Sequence, residues 1–247
     1  MGRRQNRQSS SFLVLKIILA CGVIIGLSAA FIINFCQTKD VKVRGNHLAD
    51  ANQVREAVLT DPRDVNAVYA TVRNYFTRHV SIPFVKSYKV SMKNLNTVVI
   101  TVKEKELCGY MMNEKGDRYV YYEKDGTVAE SVERLIKGTF FVEGITVKEA
   151  KAGEPLEVDD SDIQTVLLLQ QEFEREGLKV KKVNFSEEGI ITFKVKKIKV
   201  NLGARSSVSE KVRRLKFILP KLKGMKGTLH LEEWSEENTD IIFEREG

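Results

Sequence analysis

No aspartate or glutamate precedes Asp40 in this 247-residue chain. Cysteine is scarce as well: Cys21, Cys36 and Cys108 are the only three. The first two fall in or beside an apolar run, and Cys108 stands alone beyond it. No disulfide can close within the rest of the chain. That excludes a small cystine-stapled scaffold and requires hydrophobic cores, for which the length suffices. The three histidines, His47, His79 and His230, are too far apart for metal-ligand spacing. HExxH, GxSxG, Ser-x-x-Lys and P-loop patterns are all missing. Cys108, between Leu107 and Gly109, reads as a small core residue rather than a nucleophile. Asp159-Asp160 and Glu187-Glu188 sit at capping or turn positions. Catalytic, cofactor-binding and metal-binding residues are therefore expected to number none, and the chain is not expected to be an enzyme.

What is present first is an apolar run over residues 12–35, with Ser28 the only polar side chain between Ile17 and Ile33. As a helix it is about 36 Å long, enough for a bilayer core of roughly 30 Å. Lys16 can snorkel to the headgroups. Arg3, Arg4 and Arg7 precede the run, and retained positive charge marks the cytoplasmic side. The expectation is a cytoplasmic tail over 1–11, a transmembrane helix over 12–36, and everything after Cys36 outside. A cleavable signal peptide is the rival reading, since Ser28-Ala29-Ala30 offers small residues. Phe31-Ile32-Ile33 prolongs the apolar run past them, which favours an uncleaved anchor. Gly22, Gly26 and Ala30 recur every four residues, a face on which a second membrane helix could pack closely. Chance placement of small residues gives the same pattern. Of the formal net charge of +7, four positive charges belong to this N-terminal part, which leaves 36 basic against 33 acidic residues outside. A remainder so mildly basic argues against a nucleic-acid-binding face.

The first exterior module is expected over 39–105. Val41-Lys42-Val43-Arg44 alternates as a strand, and Gly45-Asn46 turns the chain. Asp50 can cap a helix with Val54, Ala57 and Val58 on one face. Asp64 can cap a second, with Val65, Val68, Val72, Tyr75 and Phe76 at helical spacing. Two period-two segments follow, Tyr88/Val90/Met92 and Val98/Ile100/Val102, joined at Asn94-Leu95-Asn96. The order is strand, helix, helix, strand, strand.

The second module, expected over 106–247, is strand-rich. Residues 107–112 and 118–122 flank one turn, and Asp125-Gly126 forms another. Phe140-Phe141-Val142 is a short strand. Asp160 or Ser161 can cap a helix through Ile163, Leu167 and Phe173, stopped at Gly177. Residues 180–185 and 190–200 read as a hairpin across Glu187-Glu188-Gly189. Ser207 or Ser209 opens a helix carrying Val212, Leu215 and Leu219, closed by Pro220. Residues 228–231 and the run Ile241-Ile242-Phe243 end the chain. The fold class is thus α+β, one transmembrane helix followed by two modules.

Two segments carry binding hypotheses. Lys194-Val195-Lys196-Lys197-Ile198-Lys199, as one strand, puts Lys194 and Lys196 on one face and Lys197 and Lys199 on the other. It is either a solvated face that resists edge pairing or an attractor of anionic lipid or wall polymer. Residues 239–244 form the last strand and hence a sheet edge, whose unpaired backbone groups can accept a partner strand. Glu232, Glu233, Glu236, Glu237 and Asp240 surround it and would favour a basic partner. The candidate partner-binding residues are Thr239, Asp240, Ile241, Ile242, Phe243, Glu244 and Trp234. Trp234, the only tryptophan, is either an anchor in the partner groove or a sheet-end core residue.

The order of these segments resembles the bacterial FtsQ/DivIB cell-division family over nearly the whole chain. Val41, Val43, Arg44, Gly45 and Asn46 fall within a hexapeptide similar to that family's V-x-V-x-G-N opening of a POTRA domain. Val102-Lys103-Glu104-Lys105 is similar to its V-x-E-R/K exit. Residues 121–128 resemble its hydrophobic-D-x-x-G-x-V hairpin. Val200-Asn201-Leu202-Gly203 with Lys211, Leu215 and Leu219 resembles its v-x-L-G…K-L…L segment. Phe140-Phe141-Val142-Glu143-Gly144 stands where Leu-Pro is usual, and Leu229-His230 where I-D is usual. The resemblance implies a POTRA module followed by a β domain. It also implies a non-enzymatic organiser of the division septum, whose terminal strands bind an FtsB/DivIC-like protein associated with an FtsL-like one. The resemblance further implies that this complex regulates septal peptidoglycan synthesis. No nucleic acid or small-molecule substrate is implied. The rival classes are a POTRA-type translocation or secretion component and a secreted wall-binding protein released from its signal peptide.

Overall fold

The computed structural model describes residues 5–235, 238 and 240–246, with side chains from Leu13 onward. Packing divides the chain into two compact units, Met1–Glu104 and Lys105–Gly247.

The first unit opens with helix α1, Gln5–Phe35, whose segment Leu13–Phe35 is long and apolar enough to cross a membrane and is not buried by the protein. The helix leads directly into a β-α-α-β-β module: β1 (Asp40–Arg44), α2 (Ala51–Val58), a short 3₁₀ turn, α3 (Ala67–Phe76), β2 (Val85–Asn94) and β3 (Thr97–Glu104). The strand order is β1-β3-β2, with β1 parallel to β3 and β2 antiparallel to it. Val54, Val58, Ala67 and Ala70 from the helices meet Tyr88, Val90, Val98, Ile100 and Val102 from the strands in one core. Alternation in β2 and β3 turns these side chains to the helical side.

Asp50 caps α2 as expected, accepting from the Asn52 and Gln53 amides at 2.9 Å. The second helix corrects the sequence reading in two ways. Its cap is Asn66, which accepts from the Val68 and Tyr69 amides. Asp64 instead forms a bidentate pair with Arg73, at 3.0 and 2.6 Å, and is itself buried. Val65, Val72, Tyr75 and Phe76 are exposed, while Ala67, Ala70 and Asn74 face the sheet. Small side chains let a helix approach a sheet closely, so the alanine face was the buried one.

The end of α1 is fastened to this module. Asn66 Nδ2 donates to Ile32 O at 2.8 Å and Asn96 Nδ2 to Phe35 O at 3.0 Å, satisfying carbonyls that a helix C-terminus leaves open. The Ala67 amide donates to Cys36 O at 2.8 Å, and the Cys36 side chain is buried.

The second unit is a nine-stranded mixed sheet in the order β12-β11-β10-β9-β8-β7-β4-β5-β6. Its strands are β4 (Gly109–Asn113), β5 (Tyr119–Tyr122), β6 (Val128–Val132), β7 (Phe140–Val147), β8 (Lys182–Phe185), β9 (Ile191–Val195), β10 (Ile198–Gly203), β11 (Gly227–His230) and β12 (Ile242–Arg245). Helices α4 (Asp160–Arg175) and α5 (Val208–Ile218) supply Val166, Leu169, Phe173, Val212 and Leu215 to a core that includes Val142, Val183, Phe193, Val200 and Leu229 from the strands. The other face of the central strands carries Glu143, Asn184, Thr192 and Asn201 in one row.

Three local readings change here. Asp159, not Asp160 or Ser161, caps α4 through the Ser161 amide. Ser207 occupies the position before α5 with a left-handed φ of 53° and no side-chain cap bond. The expected single strand over 190–200 is two strands, β9 and β10, turned at Lys196-Lys197.

Candidate functional site

Among the described residues, strand β12 is the outermost strand of the large sheet and pairs antiparallel with β11 alone. It begins at Ile242 rather than at 239 and continues to Arg245. Its register sets Ile242 opposite His230, Phe243 opposite Leu229, Glu244 opposite Thr228 and Arg245 opposite Gly227. Ile241 and Phe243 pack against the core, whereas Ile242 is 67% exposed on the opposite face. Glycine at 227 is required by this packing: a Cβ there would lie 2.1 Å from Glu244 O and 2.9 Å from the Phe243 ring.

The ladder fixes which backbone groups are free. The Glu246 amide donates to Lys226 O at 2.9 Å. Bonded and non-bonded pairs alternate in an antiparallel ladder. Thr228:Glu244 and His230:Ile242 are therefore the bonded pairs, and the N–H and C=O of Phe243 and Arg245 point away from the sheet. These are the unpaired groups of an open edge.

Side chains brace this corner. His230 Nδ1 is 2.7 Å from Glu232 Oε1, and its Nε2 is 3.6 Å from Glu244 Oε2 on β12. The Glu232 hydrogen bond, with Glu244 adding to it, raises the imidazole pKa above its usual value. Lys226 pairs with Glu246 at 2.5 Å and holds that carboxyl below the usual range. Lys211 reaches from α5 with its ammonium buried, donating to Leu202 O at 3.0 Å and Glu232 O at 3.2 Å. Burial lowers its pKa, and the two carbonyls are its compensation. Lys211 thereby ties the end of β10 to the segment entering Trp234, a role that the sequence pattern alone did not disclose.

Of the candidate partner-binding residues, Ile242, Phe243 and Glu244 lie on β12, and Asp240 and Ile241 precede it. Thr239, like Glu236 and Glu237, lies outside the described residues. Trp234 is brought to the core, 5% exposed with the Arg214 guanidinium 5.3 Å from its ring centre. That is the position of the core alternative; the ring is not displayed at the edge.

In the first unit, Val41 and Val43 pack on the core opposite Val98 and Ile100, and Arg44 lies opposite Thr101. Gly45 has φ 80°, and a Cβ would stand 2.4 Å from Val102 O. Asn46 Nδ2 donates to Ala49 O at 3.3 Å. Glu104 Oε1 accepts from the His47, Leu48 and Ala49 amides at 2.7–2.8 Å. The opening and exit segments of the module are thus one structural joint, closed by a carboxylate that sequence spacing did not link to it. Gly22, Gly26 and Ala30 lie at exposed positions of α1, and among the described residues nothing beyond the helix's own backbone comes within 4 Å of a Cβ built on either glycine. Cys108 Sγ donates to Gln170 Oε1 at 3.2 Å, and burial pushes its thiol pKa up, away from thiolate chemistry. Among the described residues no group of three His, Cys, Asp or Glu side chains is arranged to hold a metal.

The fold and its open edge define a POTRA-bearing α+β protein with one candidate membrane helix. Residues 37–105 match the family model described as "POTRA domain, FtsQ-type". The chain is 24% identical over 179 residues to the cell division protein DivIB of Clostridium acetobutylicum, an alignment covering 70% of each protein. Both comparisons point to the FtsQ/DivIB cell-division proteins as what this chain is similar to, and Leu13–Phe35 is a candidate membrane span.

Proposed function

We propose that this protein is a non-enzymatic scaffold of the division machinery that captures an FtsB/DivIC-like partner, with its FtsL-like associate, by strand addition at β12. In this reading residues 1–11 are a cytoplasmic tail, 12–36 the span, 39–105 the POTRA module that serves septal recruitment, and 106–247 the partner-binding β domain. Arg3, Arg4 and Arg7, before a run without acids, support an orientation with the N-terminus inside. Gly22, Gly26 and Ala30 offer the face for a partner's membrane helix. Captured at the septum, the partner complex acts on septal peptidoglycan synthesis.

The observation that carries this reading is the outward backbone of Phe243 and Arg245 on an edge strand that has no neighbour beyond it among the described residues. Backbone ladders supply affinity in strand addition, and flanking charge supplies selectivity. Asp240, Glu244 and Glu246 favour a partner strand bearing lysine or arginine. The test titrates the full chain in nanodiscs with the extracytoplasmic segment of the partner. Arg245→Pro removes one outward donor yet spares the bonds to β11, as proline on an edge strand can. It should weaken binding at least tenfold; unchanged affinity overturns the assignment.

A further inference from the structure

The split of the expected long strand into β9 and β10 brings together lysines that are scattered in sequence. Lys194 and Lys199 are direct cross-strand partners. The register of β8 with β9, in which Val183 opposes Phe193, carries Lys182 opposite Lys194. Three ammonium-bearing positions thus form one row across three adjacent strands, each about 4.8 Å from the next. Lys179, Lys181 and Lys196 border the same concave groove, whose cavity volume is about 870 Å³. Asn184 and Thr192 add neutral hydrogen-bonding side chains to its floor.

Counter-charge in the groove is slight. Lys182 pairs with Glu143 at 2.7 Å and lies over the Phe141 ring. Glu246, already held by Lys226, is the other carboxylate whose field meets Lys194. Among the described residues, Lys179, Lys181, Lys194, Lys196 and Lys199 form no ion pair. This arrangement works against the fold. Like charges directly opposite on a sheet repel, as Lys194 and Lys199 do. Lys196 adopts a left-handed φ of 56°, which glycine or asparagine would adopt at less cost.

We propose that this groove is a binding site for an extended phosphodiester polymer with a polyol backbone. The positive charge is entirely lysine, without an arginine fork to select planar carboxylates. Ammonium groups act as point charges that suit phosphate oxygens in any orientation. The repeated spacing matches a chain of regularly placed anions, and Asn184 and Thr192 suit hydroxyls between them. The site is separate from β12 and does not depend on partner capture there.

The test uses the full chain in phosphatidylcholine nanodiscs and end-labelled poly(glycerol phosphate) as probe, read by anisotropy at low salt. The double variant K194T/K196G removes two lysines, the cross-strand repulsion and the strained turn residue. It should melt no lower than the parent while its affinity falls about tenfold. Lys181→Gln, outside the hairpin, should weaken binding several-fold and gives a second reading. Arg245→Pro should leave polymer binding unchanged, which separates this site from the partner edge. Equal affinity of the parent and K194T/K196G overturns the proposal. So does binding of poly-L-glutamate as tight as that of the polymer, or attachment only to discs containing phosphatidylglycerol.

Discussion

His230 Nε2 lies 3.6 Å from Glu244 Oε2, across the ladder that joins β11 to β12. With Glu232 bound to the other ring nitrogen at 2.7 Å, the imidazole stands between two carboxylates. A protonated His230 therefore clasps the terminal strand onto the sheet.

The pH dependence of that clasp follows from its sign. The folded-state pKa is raised above the ordinary 6.5, first by the Glu232 hydrogen bond and then by Glu244. The stabilisation is complete below the unfolded value and is lost as pH rises through the folded one. Amide exchange at Ile242 and Glu244, corrected for intrinsic rates, should be slower at pH 6 than at pH 8. His230→Gln should abolish that difference; an undiminished pH effect in the variant would assign it elsewhere.

Lys211 governs the same corner from beneath. Replacing it with methionine keeps the stem but leaves the Leu202 and Glu232 carbonyls without their donor. The expected loss is about 2 kcal/mol in denaturant unfolding of the second unit, the range for hydrogen bonds from a charged group. Partner affinity should fall as well, because Glu232 also holds His230.

Much of this architecture was legible in residue patterns, and the exceptions have physical causes. Alternation at Val41/Val43 and at Tyr88/Val90/Met92 identified strands because each has one face on the core. Asp50 was readable as a cap because its acceptor serves amides two and three residues away. Helical spacing also identified α3, but spacing does not say which face is buried: Ala67 and Ala70 went inside, and Tyr75 and Phe76 stayed out. Asp64 has the chemistry of a cap, yet Arg73, nine residues on, took its carboxylate. Glu104 and the His47–Ala49 amides are more than fifty residues apart, beyond any local signal. The turn at Lys196-Lys197 carries neither glycine nor asparagine, so nothing marked a hairpin there. The terminal edge was readable from chain order and apolar run. Which of its amides face outward was not, because that depends on ladder register.

The most direct measurement of the central claim is residue-resolved amide exchange on β12 with and without the partner's extracytoplasmic segment. Phe243 and Arg245, whose amides point away from β11, should become strongly protected on binding. Ile242 and Glu244, already bonded to β11, should change little. Partner binding that leaves Phe243 and Arg245 exchanging at their free rates would contradict strand addition at this edge.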